Sequence, residues 1–344
     1  MQGGEKMKRI LLLSTGGTIA ARPGDNGFEP QLRGDSLLAQ LGGDLTGQLH
    51  FEVKDIFQID STNMQPEHWQ VIAKEVFDGI KSYDGVIITH GTDTMAYTAS
   101  AVSFMLQNLD GSVVFTGSQL PIENPLTDAR TNLYTAIAAV ENQLKGVTVA
   151  FNRKIIRGTR AVKVSTMGFD AFDSVNAGYV GQIFADGLRI FTEFQTGMPT
   201  PDPARSVKLV NEISPDVFLL KLLPGTKPEL FDVLPSLGYR GVVVEAFGAG
   251  GVHYLHRDIL NKLRQLTGQG IAVVVCSQCL YERSDMTIYE VGQRLLDCGV
   301  ISGRDMTTEA TTTKLMWALG QTQSLEDITR IFSTNYAGEF TEDL

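Results

Sequence analysis

Two stretches of this chain combine the residue types that hydroxyl-based covalent chemistry requires. Leu11-Leu12-Leu13-Ser14-Thr15-Gly16-Gly17-Thr18 runs an apolar segment into two glycines flanked by threonines. Gly85-Val86-Ile87-Ile88-Thr89-His90-Gly91-Thr92-Asp93-Thr94-Met95 repeats the pattern and adds a carboxylate beside a hydroxyl where a helix should begin. A threonine hydroxyl is a weak nucleophile that needs a base or a displaced proton. Glycines at the carboxyl end of a strand let a substrate approach the backbone. A helix N-terminus adds N–H groups that favour developing negative charge. Taken singly, the first stretch equally suits a plain tight turn, and Thr92 or Thr94 equally suits a helix N-cap. Their coincidence says more, because both turns follow buried strands and would open onto one edge of a parallel sheet.

Other chemistries find little support. The first motif lacks the third glycine of a dinucleotide fingerprint, no His-Glu-x-x-His occurs, and no Gly-Lys dipeptide offers a phosphate loop. The histidines at 50, 68, 90, 253 and 256 are scattered, so neither a metal nor a cofactor is expected. His90 reads as a packed neighbour of the Thr92 turn. Gly34-Asp35-Ser36-Leu37 matches an esterase signature by letter, but it does not follow a strand directly and no Asp-x-x-His accompanies it; it reads as a loop and helix cap. Cys276-Ser277-Gln278-Cys279 precedes a poor helix opening for a redox site and reads as a structural pair. The net charge of −10 disfavours nucleic acid. No apolar run approaches the roughly 18–20 residues of a membrane span. The run at Ile10–Leu13 is too short for a secretory signal. Three cysteines, an odd count, suit reduced thiols and a cytoplasmic protein.

The elements that must carry these motifs follow from periodicity. The 344 residues suffice for two domains. Strands are expected at Arg9–Ser14, Phe51–Ile56, Gly85–Thr89, Val113–Thr116 and Val147–Phe151. Between them, Glu67–Lys81 sets Trp69, Ile72, Ala73, Val76 and Ile80 on one helical face behind Pro66. Such alternation predicts an α/β fold, with a larger N-terminal doubly wound sheet domain over residues 1–195. Three prolines between Thr196 and Ser206 mark a linker at 196–212. Residues 213–344 resume the alternation, with strands at Val217–Leu222, Gly241–Glu245 and Ile271–Cys276 and helices near Asp258–Leu266, Tyr289–Leu296, Thr308–Leu319 and Leu325–Phe332. A smaller C-terminal parallel-sheet domain is the expectation there.

From Thr15-Gly16-Gly17-Thr18 through His90-Gly91-Thr92-Asp93-Thr94-Met95-Ala96-Tyr97 to Met306-Thr307-Thr308-Glu309-Ala310-Thr311, the sequence resembles the L-asparaginase and glutaminase family, in its bacterial type I and archaeal branch. The resemblance implies an amidohydrolase that turns L-asparagine into L-aspartate and ammonia, with Thr18 as nucleophile and Thr92, Asp93 and Lys163 as a second, triad-like unit. It leaves open which threonine attacks in each half-reaction. By itself Lys163 is an unremarkable lysine. The resemblance also implies that Ser61 and Thr62 bind the substrate carboxylate, that Asp93 pairs with its ammonium, and that Glu282 reaches a neighbouring protomer's site in a homodimer or tetramer. The spacing of Asp60–Asn63 equally suits a cap ahead of Pro66. Phe28 departs from the pattern, which has a tyrosine there; its ring serves as a lid but carries no hydroxyl to relay a proton. Glu245 replaces an arginine of a regulatory site. Minor activity on L-glutamine follows from the small cost of one methylene, about 1–3 kcal/mol. Two other readings are an ammonia-releasing component of a tRNA-dependent amidotransferase, disfavoured by the motif beginning so near Met1, and a catalytically impaired amino-acid-binding protein.

Overall fold

The computed structural model describes residues 7–24, 27–41, 49–191 and 199–342. Its contacts divide the chain into two compact units, one running to Thr196 and including Thr200–Val210, the other comprising Asn211–Leu344 with Gly197–Pro199.

The first unit is built on an eight-stranded sheet with the order Gly187–Ile190, Gly181–Phe184, Lys154–Arg157, Gly146–Phe151, Ser112–Thr116, Gly85–Thr89, Lys8–Gly16, Leu49–Ile59. The last five of these are mutually parallel, and the first three run antiparallel to their neighbours. Numbered along the chain, the parallel strands lie in the order 2-1-3-4-5. The direction of winding therefore reverses between Lys8–Gly16 and Gly85–Thr89, and open α/β sheets bind ligands at the carboxyl ends beside such a reversal. Alternation along the strands explains why helices cover both faces. Ile10, Leu12, Ile87 and Val114 pack in one core with Leu133, Ala136, Ile137 and Val140 of the helix Ala129–Glu141. On the other face, the helix Pro66–Gly79 brings Gly79 against Leu11 and Val86. Pro66 occupies its first turn, and Trp69, Ile72, Ala73 and Val76 are buried.

The proline-rich segment read as a linker is fastened to this unit along much of its described length. Lys208–Leu209 pairs with Leu106–Gln107, and Asn108 Nδ2 donates to the carbonyls of Asp202 and Arg205. Residues 196–198 lie outside the described residues.

The second unit has a four-stranded parallel sheet, Val217–Lys221, Gly241–Ala246, Ala272–Ser277 and Ile301–Ser302, in simple chain order. The helix Thr308–Gln321 lays Leu315 and Leu319 over Gly241, where a Cβ would come within 2.8 Å of Leu319. Its Lys314 is wholly buried and reaches Glu339 at 2.5 Å and the Thr334 carbonyl at 2.8 Å. The rings of Phe332, Tyr336 and Phe340 surround the ammonium at 5.0–5.4 Å. Glu339 also accepts the backbone N–H groups of Tyr336 and Ala337, so the turn 336–339 is tied to the helix Thr308–Gln321 through a buried ion pair. Among the described residues no helix is long and apolar enough to cross a membrane, and no His/Cys/Asp/Glu group could hold a metal ion.

Candidate active site

The reversal point of the first sheet is where the two threonine motifs meet. Gly16 and Gly17 both take positive φ, 99° and 76°, which few residues other than glycine adopt readily. Packing requires glycine as well. A Cβ on Gly16 would lie 2.6 Å from the Ile59 carbonyl, one on Gly17 would lie 2.4 Å from Gly91 N, and one on Gly91 would lie 2.5 Å from Ser61 Oγ. Glycines of the turns after Lys8–Gly16 and Gly85–Thr89 thus let these two turns touch each other and the turn after Leu49–Ile59, which meets them through the Ile59 backbone and Ser61. Hydrogen bonds lock the contact: Thr15 Oγ1 donates to the Thr89 carbonyl (2.9 Å), and Thr94 Oγ1 donates to the Ser61 carbonyl (2.8 Å). Thr94 is therefore the residue before the helix Met95–Met105, yet its hydroxyl caps nothing in that helix.

Thr92 is buried, and Lys163 joins it from the short hairpin Ala161–Lys163 with Phe172–Ser174. Lys163 Nζ lies 2.8 Å from Thr92 Oγ1 and 2.6 Å from Asp93 Oδ1. The lysine side chain is 18% exposed and the aspartate side chain 53%, so the ammonium is largely withdrawn from water while the carboxylate faces it. Thr18 opens a single 3-10 turn, half-buried, and among the described residues nothing hydrogen-bonds its hydroxyl.

Ser61 is buried against Gly91, and no described residue occupies its hydroxyl. Thr62 is exposed, and both its N–H and its hydroxyl bond to Asp60 Oδ1 at 2.8 Å. Asp60 caps the 3-10 turn Ser61–Asn63, whereas the helix at Pro66 is capped by Gln65, whose N–H donates to His68 Nδ1. His90 is fully buried between the Gly91 carbonyl (2.7 Å) and Thr98 Oγ1 (3.0 Å), and burial pushes its imidazole down to about 4, so it is neutral scaffolding. Phe28 pairs with Pro23 in the hairpin after Thr18, but its side chain lies outside the described residues. Glu282 belongs to the second unit, exposed and at φ 74°.

Sequence reasoning missed Gln119. It follows the strand Ser112–Thr116, its Oε1 lies 3.4 Å from Thr92 Oγ1, and its Nε2 donates to the carbonyls of Thr166 and Gly168. The signal was available, since Gly117-Ser118-Gln119 is a third polar turn at the carboxyl end of a parallel strand.

Comparison with known proteins identifies the family of the chain. The family model "Asparaginase, N-terminal" matches residues 9–196, and "Glutaminase/Asparaginase C-terminal domain" matches residues 216–332. The chain belongs to the asparaginase family. Within it, the chain is 42% identical to an L-asparaginase of Thermococcus kodakarensis, over 97% of this chain and 99% of the relative. A solved structure of the thermostable L-asparaginase from that organism superposes with a TM-score of 0.90 at 41% identity, covering 97% of this chain and 99% of the other. L-asparaginase I of Vibrio cholerae superposes with a TM-score of 0.86 at 30% identity, covering 98% and 100%. One of the subunits of the glutamyl-tRNA(Gln) amidotransferase of Pyrococcus abyssi is 35% identical over 99% of this chain and 78% of the relative.

Proposed function

We propose that this asparaginase-family chain is an L-asparagine amidohydrolase that works through a threonine nucleophile and needs no cofactor. The observation that carries the reading is the linked set Thr92–Lys163–Asp93 at the reversal point of the sheet. Such a set can take up and return a proton without a metal.

Thr18 is the residue that attacks. Among the described residues no side chain engages its hydroxyl, whereas that of Thr92 is engaged by Lys163 and Gln119. Its Oγ1 adds to the side-chain amide carbon of asparagine, the C–N bond breaks, and the nitrogen leaves as ammonia with the hydroxyl proton. Water then adds to the acyl ester, returns a proton to Oγ1 and releases aspartate. Lys163, oriented by Asp93, holds and releases the proton through Thr92, while turn N–H groups stabilise the oxyanion. Ser61 suits the substrate carboxylate better than Thr62, because the Thr62 hydroxyl is engaged by Asp60. Asp93, exposed beyond Lys163, takes the substrate ammonium.

We place the enzyme in the cytoplasm, where its three free cysteines stay reduced, as a homo-oligomer with Glu282 contributed across the interface. The relation to an amidotransferase component supports a second reading, release of ammonia to a partner. Ammonia release by the purified chain, with L-asparagine and with L-glutamine, separates the readings. Rapid turnover of free asparagine, lost in Thr18→Ala, is expected; a folded protein inert towards it would sink the proposal.

A further inference from the structure

We infer that Gln119 is a positioning residue for the Thr92–Lys163 pair: its side-chain amide sets the direction of the Thr92 hydroxyl and holds the loop 164–171 that follows Lys163. The inference rests on the amidohydrolase reading of this site.

The orientation of the amide is not arbitrary. Nε2 faces two carbonyls, those of Thr166 and Gly168, each at 3.1 Å. Turning the amide over would place Oε1 against both, oxygen to oxygen, so the amide is locked in this sense. Oε1 then faces Thr92 Oγ1 at 3.4 Å and can only accept. An ammonium can only donate, so Lys163 Nζ, at 2.8 Å, takes a lone pair of the same hydroxyl. The one proton of Thr92 therefore points at Gln119 when Lys163 is charged. For that proton to pass to Lys163, the lysine must first give up one of its own and the hydroxyl must swing away from Gln119.

Gln119 is braced from below. Its backbone N–H bonds to both Asp128 oxygens, at 3.0 and 3.1 Å, and the buried Asp128 also accepts from Leu120 N and Asn132 Nδ2. The loop has few other fastenings: Val164 N and Ser165 N to the Ala171 carbonyl at its base, and Lys154 to Asp170. Met167 at its tip is 87% exposed, so burial does little to hold it. The charged groups around the pair are Asp93, bonded to Lys163; Asp128, occupied beneath Gln119; and Asp173 on the paired strand, which accepts from Tyr179 and its neighbour's N–H. An added carboxylate at position 119 would be the second one facing the pair.

Two variants separate the two roles. Gln119→Met keeps the shape and removes both bonding ends; amide hydrogen exchange over 164–171 should quicken about tenfold, and kcat should fall roughly 10–100-fold with KM within about threefold. Gln119→Glu places negative charge beside the pair and favours the ammonium, so the ascending limb of the kcat–pH profile should move up by about one pH unit. Unchanged exchange in Gln119→Met, or a Gln119→Glu profile superimposable on the wild type, overturns the inference. A wild type that releases no ammonia from asparagine overturns the amidohydrolase reading instead, and the exchange measurement still decides whether Gln119 holds the loop.

Discussion

Both units end parallel strands in polar residues, yet the two edges are built for different purposes. In the first, the winding reverses, three turns meet through Gly16, Gly17 and Gly91, and a largely buried lysine bridges a buried hydroxyl and an exposed carboxylate. In the second, the strands run in simple order with no reversal, and it is the carboxylate of Glu245 that is withdrawn from water, its side chain 14% exposed. There Thr308 donates to Glu245 at 2.6 Å, and Lys221 sits 3.6 Å from the same carboxylate. Burial, with Glu245 alongside, pushes Glu309 up to about 7 and Cys276 up to about 12. These displaced titrations come first from desolvation, as does that of His90. A displaced pKa thus marks depth as readily as chemistry. The reversal in strand order, together with a lysine that has two short partners, is the more discriminating signature.

Substitutions can test that contrast. The largest effect is expected from Thr18→Ala, with asparagine-dependent ammonia release down about 10⁴-fold or more while the protein still melts cooperatively. Lys163→Met should lower kcat by roughly 10²–10⁴-fold. Combining it with Thr92→Val should cost little more than either change alone; full additivity would break the claim that they act as one unit. Gly91→Ala drives a methyl into Ser61, so KM should rise about tenfold and stability drop by about 1–3 kcal/mol, read by denaturant titration.

The second edge should respond in stability alone. The Glu309 carboxyl titrates near 4.5 ordinarily and near 7 in the folded protein. The folded state therefore holds an extra proton between those values, and stability falls as pH rises through them, by about 3 kcal/mol. Glu309→Gln should flatten that slope and leave kcat within about twofold; a large loss of activity would mean that the second edge takes part in turnover.

Much of this was legible in the sequence. Strand Gly85–Thr89 and the helix behind Pro66 stand where alternation and the 3.6-residue period put them, and the two threonine turns open on one sheet edge as their flanking strands require. Lys163 was not legible from local physics. Its strand has three residues, too few for a pattern, and only the hairpin with Phe172–Ser174 carries it to Thr92. The antiparallel strands Lys154–Arg157, Gly181–Phe184 and Gly187–Ile190 escaped for the same reason. The prolines near 200 suggested a linker, and composition could not say that Asn108 would capture that segment. Gln119 was missed because a lone glutamine has no chemistry of its own; its place after a parallel strand was the clue.

The pairing of Lys314 with Glu339 gives a single carboxylate beyond the helix Leu325–Ser333 a weight its place in an irregular segment does not suggest. A stop codon after Gly338 would strand a lysine among Phe332 and Tyr336 without Glu339 or Phe340, and removing one partner of a buried ion pair costs about 3–5 kcal/mol. Truncations or frameshifts that remove position 339 therefore count as folding mutations, and a library that randomises the segment after Ser333 should spare it.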